Sequence, residues 1–302
     1  MVATAPKVLK ETYEHVKNET SFDPFENADY DSHLYRYQGV LKGIEGFAAF
    51  DRHPEECLAY FDEHGFLAIE EALTPEEVQS SLDGLLDLID GRRPDYRHIQ
   101  FEAKARGVLH TLPAEQKQDL VRKIFHFVDY DARLRAIAEH PKMLAVVEQL
   151  IGEPPALYES KALLKPPAIG REKPWHQDHA YWNLPLDARV ATVWIALDPA
   201  TVENGCLFVI PGSHREGPVV HFRRRDWQIC DADVQTGRIM AAPLAPGGCL
   251  IFHSMLHHGT PANVSPQRRR ALQFVYVPAS VGKISTPERL AIFGSEGKDV
   301  TC

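Results

Sequence analysis

Ala191-Thr192-Val193-Trp194-Ile195-Ala196-Leu197, closed by Asp198-Pro199, is a short run rich in β-branched and aromatic residues and bounded by turn formers. Runs of the same kind surround it at Ala162–Lys165, Cys206–Ile210, Cys249–His253 and Leu272–Val277, separated by Pro, Gly, Asn and Asp. From Ala156 onward the apolar period is two, the period of strands. Before it the pattern is mostly helical. Pro54-Glu55-Glu56 opens a short helix that Gly65 can close as a left-handed cap. Phe66-Leu67-Ala68-Ile69 is a strand candidate. Thr74-Pro75-Glu76-Glu77 then puts threonine at an N-cap, proline in the first turn and glutamate three residues after the cap. Val78, Leu82, Leu85 and Ile89 continue it as one helical stripe. The segment from Pro113 to Gly152 reads as mainly helical, with stripes at Leu120, Ile124 and Val128 and at Met143, Val146, Val147 and Leu150. Helices first and many short strands after predict an all-β barrel or double-sheet core flanked by helices. Residues 1–50 read as an N-terminal extension that wraps the domain or stays partly mobile, 51–280 as the domain and 281–302 as a C-terminal tail.

A net charge of −9 argues against a general nucleic-acid or anionic-membrane binder. No apolar run is long enough to span a bilayer, and Met1 to Val16 carries no secretory h-region. The five cysteines (Cys57, Cys206, Cys230, Cys249 and Cys302) are scattered and lack a C-x-x-C pairing. That pattern suits reduced thiols, and the expected location is the cytoplasm.

The chemistry concentrates at Trp175-His176-Gln177-Asp178 and, far downstream, at His258-Gly259. In an extended strand residues two apart share a face, so His176 and Asp178 reach one point while Gln177 faces away. Two imidazoles and one carboxylate on the same side of a cation form the arrangement of a non-haem Fe(II) oxygenase. An isolated H-x-D pair has little specificity; the histidine cluster, arginine and glycine-rich turns that follow give it weight. Three histidines compete for the third position: His253, His257 and His258. The first two share a parity that His258 does not, and parity leaves the side undecided. Gly259 lets the chain turn sharply and a ligand approach closely, which favours His258 over its neighbours. Arg269, on the strand that returns after a turn rich in Pro, Asn and Ser, can hold a distal carboxylate with two parallel hydrogen bonds. Thr192 is a second candidate for that carboxylate. Tyr181 and Trp182 follow the metal motif closely and are candidates to line a substrate pocket. The 215–240 segment, with Arg223 to Arg225, is a long insertion suited to a lid or binding wall and to an acidic substrate.

Several motifs, in order, resemble the phytanoyl-CoA dioxygenase family. They are Trp175-His176-Gln177-Asp178, Trp194-Ile195-Ala196-Leu197-Asp198, Glu203-Asn204-Gly205-Cys206-Leu207, Pro211-Gly212-Ser213-His214, and Phe252 through Gly259 with Arg269 and Ala271 following. The resemblance implies a mainly β fold with flanking helices around a double-stranded β-helix, the jelly-roll or cupin-like core. It implies an Fe(II)/2-oxoglutarate-dependent dioxygenase with O2 as co-substrate, converting 2-oxoglutarate to succinate and CO2. Hydroxylation or desaturation of an unactivated C–H bond in a small-molecule metabolite follows from the same likeness. Its iron ligands would be His176, Asp178 and His258. Arg269 would pair with the 2-oxoglutarate C5 carboxylate, Thr192 would assist, and Lys165 stands where the family often carries a lysine. Asp178 also speaks against halogenation, since related iron halogenases carry a small residue there. A non-catalytic metal- or 2-oxoglutarate-binding sensor or scaffold of the same fold is the rival reading. A zinc hydrolase would need a general base beside the H-x-D pair, and none stands out.

Overall fold

A computed structural model describes residues 21–25 and 30–294. Its centre is a pair of facing sheets. The larger runs, in spatial order, Ser21–Phe22, Ile99–Phe101, Val121–Phe125, Pro155–Lys165, Arg269–Pro278, Ala191–Ala196, Cys249–His253, Phe66–Glu70 and Ile44–Glu45. The smaller runs Gly39–Val40, Met240–Ala242, Leu207–Val209, His258–Thr260 and Lys173–His176.

Alternation along the strands separates two apolar layers. Val193, Ile195, Ile251, Leu272 and Phe274 face outward onto a layer that includes Leu85, Leu134, Val146 and Val147 of the helices. Trp194, Ala196, Leu250, Phe252 and Ala271 face inward, toward Trp175, Leu207 and Phe208 of the small sheet. The cavity described below opens on that inner face. Helix Pro54–His64 ends at Gly65 (φ 83°), a left-handed cap, and Pro75–Ile89 starts on the Thr74–Glu77 capping box. Helix Pro141–Ile151 buries Met143, Val146, Val147 and Leu150 and stops at Gly152. No helix among the described residues is long and apolar enough to cross a membrane.

Two expectations need correction. Val121–Phe125 is a strand, with Lys123, Ile124 and Phe125 opposite Leu163, Ala162 and Lys161. The helical spacing of Leu120, Ile124 and Val128 is overridden because a register shift against Ile99–Phe101 lets Val121 and Ile124 both bury within the sheet. Cys57, Cys206 and Cys249 are free and buried, as expected, whereas Cys230 is disulfide-bonded.

The described parts of both flanks pack onto the domain, while residues 1–20, 26–29 and 295–302 of the expected extension and tail lie outside the described residues. Phe293, in helix Thr286–Phe293, is buried against Ala180 and Met255. Asp23, 2% exposed, accepts from Arg171 Nε at 2.6 Å and lies 3.1 Å from Arg122 Nε. Glu102 pairs with Arg122, and Glu172 with Arg225, in the same buried network. Burial works against the Asp23 carboxylate, but the two guanidiniums hold its pKa below the ordinary range. Its contribution is therefore complete above the unfolded carboxyl value of about 4 and is lost as pH falls through the lower folded value. Asp23→Ala is expected to destabilise the fold by about 3–5 kcal/mol, because it strands buried cations. Urea unfolding at neutral pH measures this.

Candidate metal centre

The Lys173–His176 strand lies at an edge of the small sheet and, among the described residues, pairs only with His258–Thr260. The register sets His258 opposite His176, with ring centroids 4.1 Å apart. Gly259 makes this possible by close approach rather than by a sharp turn. A Cβ there would stand 3.2 Å from Lys173 O and 3.3 Å from Trp175 N. Gln177 stays extended after the strand ends (φ −108°, ψ 128°), and Asp178 opens a 3-10 turn on the same side as His176.

His176 Nε2 and His258 Nε2 lie 3.5 and 3.7 Å from Asp178 Oδ1, and all three residues are buried. One ligand atom from each fits within 4.8 Å of the others. These gaps exceed ordinary N–H···O hydrogen bonds and suit donors that share a cation. His176 Nδ1 donates to Pro174 O at 2.8 Å and His258 Nδ1 to Leu256 O at 2.9 Å. A carbonyl only accepts, so each Nδ1 carries the proton and each Nε2 turns a lone pair toward Asp178. Burial, then His258 and Lys173, hold His176 well below the ordinary histidine range; burial lowers His258 too. Both are neutral at neutral pH. Burial opposes the Asp178 carboxylate, yet its pKa lies below the usual range, with the charge of Lys161 favouring the ionised form.

Asp178 Oδ2 accepts from Thr192 Oγ1 at 3.0 Å and from Gln273 Nε2 at 3.3 Å, which turns Oδ1 toward the histidines. This corrects the assignment of Thr192 to the distal carboxylate. Thr192 sits opposite Val275, six positions along the strand from Arg269. Its one hydroxyl proton serves Asp178. Thr192→Val is expected to lower metal affinity about 10- to 100-fold, the usual effect of losing a partner that orients a ligand. An Fe(II) titration of folded protein reads it.

Of the arginine run 268–270, only the middle residue points inward. Arg268 pairs with Asp119 and Arg270 with Asp198. Arg269 is 2% exposed, donates from Nη1 to Leu163 O at 3.0 Å and lies 5.3 Å over the Trp194 ring. Its Nε has no partner and no carboxylate pairs with it among the described residues. Burial pushes its pKa down to about 9, which still leaves it charged at neutral pH, so an incoming carboxylate would offset the desolvation of that charge.

His176, Asp178, His258, Arg269, Gln273 and Tyr181 line a single cavity. Lys165 lines it too, but its ammonium donates to the carbonyls of Arg171, Thr260 and Pro261. It braces the wall beside Arg269, its register partner. Trp182 does not line the cavity: at 1% exposure it packs with Tyr158, Leu184 and Val190, which corrects its assignment to substrate. The chain leaves the Asp178–Tyr181 turn extended there, sending neighbouring side chains to opposite sides. Arg225 is held by Glu172 and Asp231, and Arg223 and Arg224 are exposed. None of the three reaches the cavity, so the basic run does not meet a substrate there. Nor do His253 and His257, whose neighbours are Met255 and Ser213.

Gln273 is the functional residue that sequence reading passed over. Its signal was available: a lone amide inside Leu272-Gln273-Phe274-Val275, on the face of Arg269. Gln177 faces away, as expected, and binds the carbonyls of Gly217 and Met255, each at 2.9 Å.

A family model described as phytanoyl-CoA dioxygenase (PhyH) matches residues 61–271. Phytanoyl-CoA dioxygenase domain-containing protein 1 of Danio rerio is 26% identical over 76% of this chain and 91% of its own length. L-proline trans-4-hydroxylase of Streptomyces griseoviridis is 28% identical over 70% of this chain and 88% of its own. Among solved structures, EvdO2 from Micromonospora carbonacea var. aurantiaca, complexed with 2-oxoglutarate, superposes with a TM-score of 0.61. It is 22% identical, over 85% of this chain and 100% of that one. That likeness bears out the jelly-roll core with flanking helices.

Proposed function

The chain belongs to the phytanoyl-CoA dioxygenase family, and on that premise we propose that it hydroxylates or desaturates an unactivated C–H bond of a small-molecule metabolite. It is a 2-oxoglutarate-dependent oxygenase, with iron and 2-oxoglutarate as cofactor and co-substrate. The observation that carries the proposal is the meeting of two neutral imidazoles and one ionised carboxylate in a buried cavity that also holds an unpaired guanidinium. That donor set fits ferrous iron.

In this reading His176, Asp178 and His258 hold the iron. Iron held there would supply the O2 activation that converts 2-oxoglutarate to succinate and CO2 and oxidises the substrate C–H bond. The chain's own part is placement. Arg269 takes the distal carboxylate of 2-oxoglutarate with its planar fork, and Lys165 braces that end of the wall. Thr192 and Gln273 fix the carboxylate of Asp178. Tyr181, whose ring meets that of His176 edge-on at 5.7 Å, borders the substrate space.

The test is succinate formation from 2-oxoglutarate by the full chain under air, with and without Fe(II). Iron-dependent succinate, together with a metabolite gaining one oxygen or losing two hydrogens, is expected. Binding of both ligands without succinate in the presence of a metabolite extract would instead establish a non-catalytic sensor.

A further inference from the structure

One charge pair in the cavity wall has no structural task. Glu159 and Lys161 lie two apart on the Pro155–Lys165 strand, on one face, and both line the cavity with His176, Asp178 and His258. Lys161 Nζ is 2.9 Å from Glu159 Oε2, and the side chains are 17% and 6% exposed. The other buried pairs nearby each join separate parts of the chain: Lys173 with Asp226, Asp23 with Arg122 and Arg171, Arg225 with Glu172. Glu159 and Lys161 join neighbours on one strand, and beyond that bond Lys161 Nζ stands 6.0 Å over the Trp182 ring, the outer limit of a cation–π contact. Burying two opposite charges incurs a desolvation cost that their attraction at best offsets, so an apolar pair would serve the fold as well. The pair belongs with a ligand.

Its position says which ligand. Lys161 is the register partner of Gln273, whose amide reaches Asp178, so the pair stands beside the metal centre. Phe125, opposite Lys161 on the adjoining strand, and Phe252 give the same cavity apolar surface. Lys123 lines it as well, its pKa pulled down to about 7 by burial, so Lys161 is the firmer positive charge on that side. A molecule with both charges can exchange partners with Glu159 and Lys161 and leave no buried charge alone. A neutral molecule gains nothing from either group, and a singly charged one satisfies only half of the pair.

We propose that Glu159 and Lys161 bind the substrate, and that the substrate is a small zwitterion of the α-amino-acid kind, its carboxylate on Lys161 and its ammonium on Glu159. The proposal rests on the iron and 2-oxoglutarate reading of the same cavity.

Calorimetric titration of the Fe(II)-loaded, 2-oxoglutarate-saturated full chain under argon tests it. The probes are the proteinogenic α-amino acids, their carboxamides, their N-acetyl forms, and octanoyl-CoA. At least one free amino acid is expected to bind, with its two blocked forms about 10- to 100-fold weaker, as loss of a charge-assisted hydrogen bond requires. Lys161→Met should then erase discrimination against the carboxamide, and Glu159→Gln discrimination against the N-acetyl form, while Lys161→Arg keeps it. Binding of no amino acid, equal binding of blocked forms, or binding of octanoyl-CoA alone overturns the proposal. Titration of 2-oxoglutarate into the Fe(II)-loaded chain, run first, separates the two readings. If 2-oxoglutarate binds and no amino acid does, only this proposal fails; if 2-oxoglutarate does not bind, the iron reading fails.

Discussion

His176→Ala and Asp178→Ala are each expected to abolish Fe(II) binding and iron-dependent succinate formation in a chain that still folds. Removing Thr192 disturbs only the orientation of a ligand; removing His176 or Asp178 deletes one of three. The loss of metal affinity should therefore exceed the roughly 10- to 100-fold that an orienting partner contributes. Asp178→Ala carries a second effect. It leaves Thr192 and Gln273 without their acceptor and takes one of two nearby negative charges from Lys161, which keeps Glu159. Equilibrium Fe(II) titration and succinate measurement should be paired with circular dichroism to show that the fold persists. Retention of iron-dependent turnover by either variant would remove the site assignment, whatever the sheets look like.

Arg269→Ala is expected to raise the 2-oxoglutarate requirement by about 30- to 5,000-fold, with iron binding unchanged. The estimate comes from the roughly 2–5 kcal/mol lost when one partner of a buried, hydrogen-bonded charge pair is truncated. Arg269 is suited to that role because nothing negative pairs with it among the described residues and burial already disfavours its charge. Arg269→Lys should recover part of the loss, since an ammonium keeps the charge but not the parallel two-bond geometry. The KM for 2-oxoglutarate is the quantity to measure. An unchanged value in Arg269→Ala would move the anchor to another cation of the wall.

Much of this site could be read from the chain alone. Parity put His176 and Asp178 on one side, and the turn after His258 brought Arg269 back to the same cavity from the facing sheet. Parity did not choose among His253, His257 and His258; the ladder register does, because it places His258 directly across from His176. Thr192 shows the opposite case. Its strand was evident, but which end of the cavity it faced depended on pairing with Val275, a contact no local pattern contains. Val121–Phe125 was hidden by an accidental helical spacing that sheet pairing outweighs. The Asp23 network was invisible for a further reason: its members are separated by long stretches of chain and none belongs to a motif.

That network bears on how the molecule is made. Asp23 meets Arg171 across 148 positions, and Arg225 in the same cage depends on an aspartate still further on, Asp231. During synthesis the first-made acidic group must wait for its counterparts to emerge, and contacts of such long range are slow to form. The wall carrying Arg122 and Arg171 thus closes late, and a chain cut short before Arg171 would leave Asp23 with one of its two cations missing.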